Sequence, residues 1–156
     1  KVAFLDRDDY SGLAAELGAK YDHTPLFYRC DVTDTKALQD AINDAAAKNG
    51  PLTALVNNAA NDQRMVADDV TEAQWAEMID VNLKHYFFAS QAAAAQMPNG
   101  GSIINFSSGS VHMGAAGMAP YVTSNAGIMG MSRALARQVA GRSSSGRREG
   151  RTVRRQ

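Results

Sequence analysis

Short apolar runs alternate along the chain with longer segments whose apolar residues recur at helical spacing. The runs predict four β-strands and the segments between them predict α-helices. Strands separated by helices of this length pair in parallel through right-handed crossovers. The pattern therefore predicts an α/β fold with a doubly wound parallel sheet. The predicted strands are residues 2–5, 26–30, 52–56 and 102–106.

Two helices are predicted between the first three strands. The first shows helical spacing of its apolar residues and is expected to end at Gly18. The second is capped by Asp34 or Thr35 and ends at Gly50-Pro51. Their apolar faces are formed by Leu13, Ala14, Leu17, Leu38, Ile42 and Ala45.

A long helix is predicted in the middle of the chain. Thr71, with Gln74 three residues later, forms a capping-box pattern, and the helical spacing continues to about Met97. Residues 121–140 predict the last helix, after a Ser/Gly-rich loop at 107–117. A stripe of large side chains on the long helix is interpreted as core rather than as a cofactor site. This stripe comprises Trp75, Met78, Ile79, Leu83, Tyr86 and Phe87.

The charged residues divide the chain into an acidic body and a basic tail. Of 16 Lys+Arg and 16 Asp+Glu in 156 residues, six arginines and one acid lie in 141–156. An acidic body argues against nucleic-acid binding by the folded part. Residues 1–140 are predicted as the domain, and 141–156 as disordered because they contain too few apolar residues to fold. The tail is either a basic arm for acidic partners or the product of a reading-frame shift, which the abrupt end of the α/β pattern favours.

The single cysteine limits the classes of protein to consider. Cys30 alone cannot form an intramolecular disulfide framework or a Cys-rich zinc site, and it fits a reducing compartment, so a cytoplasmic location is predicted. No stretch reaches the roughly 18 apolar residues that span a bilayer. No His/Asp/Glu group has metal-ligand spacing, and His85 and His112 are interpreted as structural or solvent-facing.

Polar residues follow every predicted strand. The carboxyl ends of parallel strands meet at one edge of a sheet, so these residues are expected to line one crevice. An acid after the first strand can accept both ribose hydroxyls of an adenosine and would repel a 2′-phosphate, so Asp6 favours NAD over NADP. An ordinary helix N-cap is the alternative for Asp6. The polar residues at the four strand ends are Asp6, Asp31, Asn57, Asn58, Ser107 and Ser108.

These residues belong to a series of motifs that resembles the short-chain dehydrogenases/reductases of the compact single-domain type. The resemblance covers residues 1–140. It implies a Rossmann-like sheet, hydride transfer between NAD and an alcohol/carbonyl substrate, and a homo-oligomer packed through its long helices. The matching pieces, in order, are Val2-Ala3-Phe4-Leu5-Asp6, Cys30-Asp31-Val32, Leu55-Val56-Asn57-Asn58-Ala59, Val81-Asn82-Leu83, Gly101-Ser102-Ile103-Ile104-Asn105-Phe106-Ser107-Ser108 and Tyr121.

The resemblance also implies roles for single residues. Tyr121 corresponds to the catalytic acid/base of the family, which exchanges a proton with the substrate oxygen. Ser108, 13 residues earlier, matches the serine that hydrogen-bonds that oxygen. Asn82 matches the asparagine that holds a water in the proton relay. The residues that match the adenosine-side contacts are Asp6, Asp31, Val32, Asn58 and Ala59.

The sequence departs from the family pattern in two ways. Asn125 stands where the family has a lysine, whose charge lowers the pKa of the catalytic phenol and whose amine binds the nicotinamide ribose. Asparagine can hydrogen-bond ribose but carries no charge, so weakened activity with an alkaline optimum is expected. In this fold a glycine-rich phosphate loop lies about 20 residues before the ribose-binding acid. Neither this loop nor the strand before it is present ahead of Asp6. A sheet with a central gap is therefore expected, in a chain that resembles an internal fragment incomplete at both ends.

A finer resemblance concerns the substrate. The run from Asn57 to Arg64, together with Asn82-Leu83-Lys84-His85, is similar to the aldose (xylose-type) 1-dehydrogenases. Asp62 and Arg64 suit a polyhydroxylated substrate through charge-assisted hydrogen bonds, and a solvated loop with a local ion pair is the alternative. The alternative for the whole chain is an inactive or impaired fragment, or a non-enzymatic chain whose tail binds acidic partners.

Overall fold

A computed structural model describes the backbone of residues 1–146 and the side chains of residues 1–138. A 3-10 helix lies at Ala67–Asp69, and a π-helix lies at Asp80–Lys84. The four strands are β1 (Ala3–Asp6), β2 (Leu26–Arg29), β3 (Ala54–Asn57) and β4 (Ser102–Asn105). The helices are α1 (Ser11–Lys20), α2 (Thr35–Asn49), α3 (Glu72–Ile79), α4 (His85–Ala95), α5 (Ser110–Met113) and α6 (Ala119–Gly146).

The strands form two parallel pairs. β1 pairs with β2, with Asp6 opposite Arg29, and β3 pairs with β4, with Asn57 opposite Asn105. The predicted parallel α/β fold is therefore confirmed. Within the described residues the two pairs are not hydrogen-bonded to each other, as expected from the resemblance, which places a gap between β1 and β3.

The core lies between α2 and α4. Asp34 caps α2 by accepting a hydrogen bond from the backbone N–H of Ala37 at 3.0 Å, and the chain leaves the helix at Gly50 with φ +92°. Both ends of this helix are confirmed. Alanines on α4 bring it close to the apolar face of α2, which buries the largest cluster of side chains. This cluster comprises Cys30, Leu38, Ile42, Ala89, Ala92 and Ala93.

The predicted long helix is wrong in one respect, because the π-helix divides it. Its capping box is confirmed, with Thr71 and Gln74 each bonded to the other's backbone N–H. A π turn contains more residues than an α turn, so a stripe at α-helical spacing does not continue on one face across it. Phe87, which follows the π-helix, is accordingly 39% exposed, and Trp75, which precedes it, is 41% exposed, although both were predicted as core. The core prediction holds for Met78, which is 1% exposed.

Other boundaries differ from the prediction at several places. α1 continues through Gly18 to Lys20, β3 begins later than predicted, and the 107–117 loop contains α5. α6 runs from Ala119 to Gly146 rather than over 121–140. The rest of the predicted tail, 147–156, lies outside the described residues, so the division at residue 140 stays a prediction. None of the described helices is both long and apolar enough to cross a membrane.

Candidate active site

A cleft of about 280 Å³ opens at the carboxyl ends of β3 and β4. Three of the residues predicted for the site, Asn58, Tyr121 and Asn125, line this cleft together, and Asp62 joins them. The loops after the neighbouring strands β3 and β4 thus meet at one place. Asp6 and Asp31, which were expected to line the same crevice, are not among the residues that line it. The remaining lining residues are Ala60, Tyr86, Phe106 and Ser107.

Asn82 lies beneath the cleft, in the π-helix, and is 1% exposed. Its Oδ1 accepts from the backbone N–H of Asn61 at 2.8 Å, and its Nδ2 donates to the carbonyls of Asn61 at 3.0 Å and Met78 at 2.9 Å. Asn61 stands between two lining residues, Ala60 and Asp62. The Asn82 side chain therefore holds this wall of the cleft in place. It also provides a hydrogen-bond donor to the carbonyl of Met78, close to the end of α3.

The loop after β4 presents two serines with different partners. Ser107 lines the cleft, and its hydroxyl donates to the carbonyl of Asn125 at 3.1 Å, which ties the loop to α6. Ser108 is half-buried and lies outside the lining set. Its Oγ accepts from the hydroxyl and backbone N–H of Ser110 at 2.9 and 3.2 Å, so its own O–H is left to donate elsewhere.

Tyr121 and Asn125 lie one turn apart on α6. Asn125 is 4% exposed, and its Nδ2 donates to the backbone carbonyl of Tyr121 at 3.0 Å. Ser124, between them in the chain and fully buried, donates to the carbonyl of Pro120 at 3.0 Å and fixes the same turn. The amide of Asn125 is thus engaged with its own helix, and it brings no charge to the cleft.

The residues predicted for the adenosine side are divided between the two strand pairs. Asp6 ends β1, and its Oδ1 accepts from the backbone N–H of Asp8 at 3.0 Å. Because Tyr10 is the N-cap of α1, the alternative of a helix cap for Asp6 is wrong. Asp31 accepts from the backbone N–H and the hydroxyl of Thr33, both at 2.8 Å, and these hydrogen bonds lower the pKa of its carboxyl group.

Two further adenosine-side predictions have different surroundings. Val32 is half-buried and packs against the core between α2 and α4. Ala59 is exposed and follows Asn58 in the loop after β3. Val32 therefore lies with the β1–β2 pair, whereas Ala59 lies with the residues that form the cleft.

One lining residue with an ionisable side chain, Tyr86, was not predicted for the site. Tyr86 was assigned to the core stripe, and it is indeed 2% exposed, but it also lines the cleft. Burial raises the pKa of Tyr86 to about 12, and the charge of Tyr121 acts in the same direction. The spacing to Asn82 could not have predicted this position, because the π-helix that contains Asn82 interrupts the α-helical spacing before Tyr86.

The proposed sugar-binding charges and the histidines are also located. Arg64 donates to the carbonyl of Ala116 at 3.3 Å, and it makes no ion pair with the carboxylates of the described residues, so the local ion pair is absent there. His85 is 2% exposed, which agrees with its structural interpretation and excludes the solvent-facing one. Burial lowers the pKa of His85 to about 4. Within residues 1–138 no cluster of His, Cys, Asp and Glu could hold a metal ion.

Comparison with known proteins identifies the family to which this arrangement belongs. The family model described as short chain dehydrogenase matches residues 1–143. The chain is a short-chain dehydrogenase family member. A D-xylose 1-dehydrogenase of Caulobacter vibrioides is 43% identical over 143 residues, which is 89% of this chain and 56% of that protein. A Rhizobium meliloti protein named "Probable galactose dehydrogenase GalD" is 40% identical over 140 residues, covering 87% of this chain and 55% of that protein.

Solved structures support the same assignment. A short chain dehydrogenase from Burkholderia cenocepacia, crystallised in complex with NADP, superposes with a TM-score of 0.85 at 29% identity. The alignment covers 91% of this chain and 59% of that one. This short-chain dehydrogenase chain thus spans about half the length of the curated relatives that it matches.

Proposed function

We propose that the chain carries the acid/base part of an NAD-dependent oxidoreductase, which transfers a hydride between the cofactor and the alcohol/carbonyl group of an aldose. The observation that carries this proposal is the position of Tyr121, whose phenol lines one cleft with Asn58 and Asp62. The names of the relatives, a D-xylose and a galactose dehydrogenase, support a sugar as the substrate. A phenol that can exchange a proton beside polar groups for sugar hydroxyls suits this chemistry.

The described residues fit the two ends of the cofactor. Asp6 uses only one carboxylate oxygen in its turn, so the other remains an acceptor for ribose hydroxyls, and its charge disfavours a 2′-phosphate. Tyr121, which lines the cleft, would face the nicotinamide end. When bound, the nicotinamide supplies or accepts the hydride. The phosphate loop of this fold precedes the ribose-binding acid, and residues 1–5, which precede Asp6, contain no glycine that could approach the pyrophosphate.

Cofactor choice follows from the same carboxylate. The Burkholderia neighbour was crystallised with NADP, so the preference of this chain for NAD rests on Asp6. NADH and NADPH titrations, followed by cofactor fluorescence, test it. NADH should bind more tightly than NADPH, and Asp6→Asn should reduce the difference between the two dissociation constants. Equal affinities in the parent chain would contradict the proposed cofactor.

The chain's own residues divide the work of proton transfer and positioning. Tyr121 exchanges a proton at its phenol oxygen with the reacting oxygen of the sugar. Ser108, whose Oγ already accepts two hydrogen bonds, is free to donate its proton to that same oxygen. Asn82 positions the loop through Asn61. Asp62 accepts hydrogen bonds from sugar hydroxyls, a charge-assisted interaction.

The decisive experiment compares two tyrosine variants during D-xylose oxidation, followed by NADH absorbance. Tyr121→Phe removes the proton-exchanging oxygen and should lower kcat about a thousandfold, since general acid/base groups contribute on this scale. Tyr21→Phe removes a hydroxyl from a tyrosine that is 58% exposed and serves as the control. Activity that survives Tyr121→Phe would exclude Tyr121 as the acid/base.

A second candidate, a catalytically impaired chain, is favoured by one observation. Asn125 occupies the lining position of the family's lysine, and its amide bonds to the carbonyl of Tyr121 rather than supplying charge. In this case the parent chain would bind NADH while turning over slowly. The binding of acidic partners by the basic tail concerns mainly residues outside the described part of the chain. The cytoplasmic location and the homo-oligomer stay predictions.

A further inference from the structure

Tyr86 differs from its neighbours on α4. Ala89, Ala92 and Ala93 belong to the cluster that packs between α4 and α2. Tyr86 is the largest fully buried side chain of the described residues, yet it also borders the cleft that contains Tyr121. In such a position the aromatic ring packs among apolar groups, while the hydroxyl lies close to a ligand in the cleft.

The hydroxyl of Tyr86 makes no hydrogen bond to the described residues. Tyr28, by contrast, donates its hydroxyl proton to Asp44 at 2.7 Å. Buried tyrosine hydroxyls normally have a partner. The fully enclosed side-chain atoms without a partner within the described residues are the two ring nitrogens of His85, so the hydroxyl of Tyr86 keeps access to the cleft. It is therefore free to bond to a ligand.

Tyr86 also keeps its proton under working conditions. Burial raises the pKa of Tyr86 to about 12, and Tyr121, which lines the same cleft, acts in the same direction. A phenol that stays protonated is a permanent hydrogen-bond donor. Asn125, which also lines the cleft, has its amide N–H engaged with the Tyr121 carbonyl.

We propose that the Tyr86 hydroxyl donates a hydrogen bond to a ligand hydroxyl in the cleft. This hydroxyl is vicinal to the ligand oxygen that lies beside Tyr121, and both belong either to the sugar or to the nicotinamide ribose. The ligand chemistry is a vicinal diol, which both an aldose and the nicotinamide ribose present. This inference rests on the proposed function and deepens it, because it assigns a second phenol to the same cleft. Tyr86 then positions the diol, while Tyr121 exchanges the proton.

The first test needs no turnover. Near-ultraviolet titration of the phenols is carried out on the parent chain and on Tyr86→Phe, Tyr121→Phe and the double variant. Tyr86 and Tyr28 both have a pKa raised to about 12. If Tyr86 and Tyr121 share the cleft, Tyr121→Phe should lower the pKa of one of these two tyrosines, and Tyr86→Phe should leave only Tyr28 in this class. Independent ionisation of Tyr86 and Tyr121 would overturn the proposal.

The second test measures binding and separates the two sources of the diol. Tyr86→Phe removes one hydrogen bond and should weaken binding about tenfold. If the aldose supplies the diol, the KM for D-xylose rises, the Kd for NADH is unchanged, and the effect vanishes with the 2-deoxy sugar. If the nicotinamide ribose supplies it, the Kd for NADH rises instead. Tyr28→Phe, which loses a hydroxyl far from the cleft, should change neither constant.

The outcomes distinguish this inference from the proposed function. If the parent chain binds NADH and D-xylose and Tyr86→Phe changes neither binding constant, the role of Tyr86 is wrong and the proposed function stands. If the parent chain binds neither probe, the proposed function fails and the role of Tyr86 fails with it. Weaker binding of one probe, together with coupled phenol ionisation, supports the proposal.

Discussion

Asn82 and Asn61 are joined by two hydrogen bonds, in which one side chain satisfies both backbone groups of the other residue. Oδ1 of Asn82 accepts from the Asn61 N–H at 2.8 Å, and Nδ2 donates to the Asn61 carbonyl at 3.0 Å. The pair connects the π-helix to the loop after β3. An asparagine that the family resemblance assigns to the proton relay therefore also holds the wall of the cleft.

Replacing Asn82 should destabilise the chain. Asn82→Ala removes the partner of the Asn61 N–H and carbonyl and leaves the Met78 carbonyl with only the long hydrogen bond from Ser124 at 3.5 Å. Each unsatisfied buried group costs about 1–3 kcal/mol. We expect the free energy of unfolding to fall by about 3 kcal/mol in urea titrations. Asn61→Ala is the control, because its backbone can still bond to Asn82. Equal losses in the two variants would contradict the role of the paired bonds.

Gly18 tests why α1 continues past the glycine that was expected to end it. A Cβ at position 18 would overlap Oγ1 of Thr24 and lie 2.9 Å from its Cβ, whereas a Cβ at Gly12 meets nothing within 4 Å. Gly18→Ala should therefore lower the free energy of unfolding by about 1–3 kcal/mol. Gly12→Ala in the same helix should be neutral or stabilising by about 0.5 kcal/mol. Adding Thr24→Ala should recover part of the loss, and the absence of recovery would exclude this contact as the cause.

Helix caps that depend on contacts between residues near in sequence were predicted correctly. Helix features that depend on contacts between residues distant in sequence were not. The caps at Asp34 and Thr71 were predictable because a side chain bonds to backbone three residues away. The division of the long helix was not, because Asn82 bonds to Asn61, which is distant in sequence. The family motif located Tyr121, whereas the place of Tyr86 in the cleft depends on how α6 packs against α3 and the π-helix that precedes α4.

His85 should make the stability of the chain depend on pH. Burial lowers the pKa of this imidazole from 6.5 to about 4, against a weaker opposing effect of the backbone at Asp80 and Val81. Between these values the unfolded chain binds a proton that the folded chain does not, so the free energy of unfolding falls as the pH falls from 6.5 to 4. The total loss should be about 3 kcal/mol.

The measurement is urea unfolding at a series of pH values. His85→Leu removes the titrating group and should flatten the slope between pH 6.5 and 4. His112→Gln replaces an exposed histidine and should leave the slope as it is in the parent chain. A His85→Leu slope that matches the parent slope would assign the acid sensitivity to other groups.

Asn125→Lys should add a positive charge to the cleft, at the position where the family has a lysine. A positive charge about 5 Å from the phenol oxygen, at an effective dielectric constant near 20, favours the phenolate by about 3 kcal/mol. The rising limb of the pH–rate profile for D-xylose oxidation should therefore move about two pH units toward acid. Activity at neutral pH should rise accordingly. Asn125→Gln, which lengthens the side chain without adding charge, should leave the limb in place. Coincident profiles for the parent and Asn125→Lys chains would show that Asn125 is not what limits proton transfer at Tyr121.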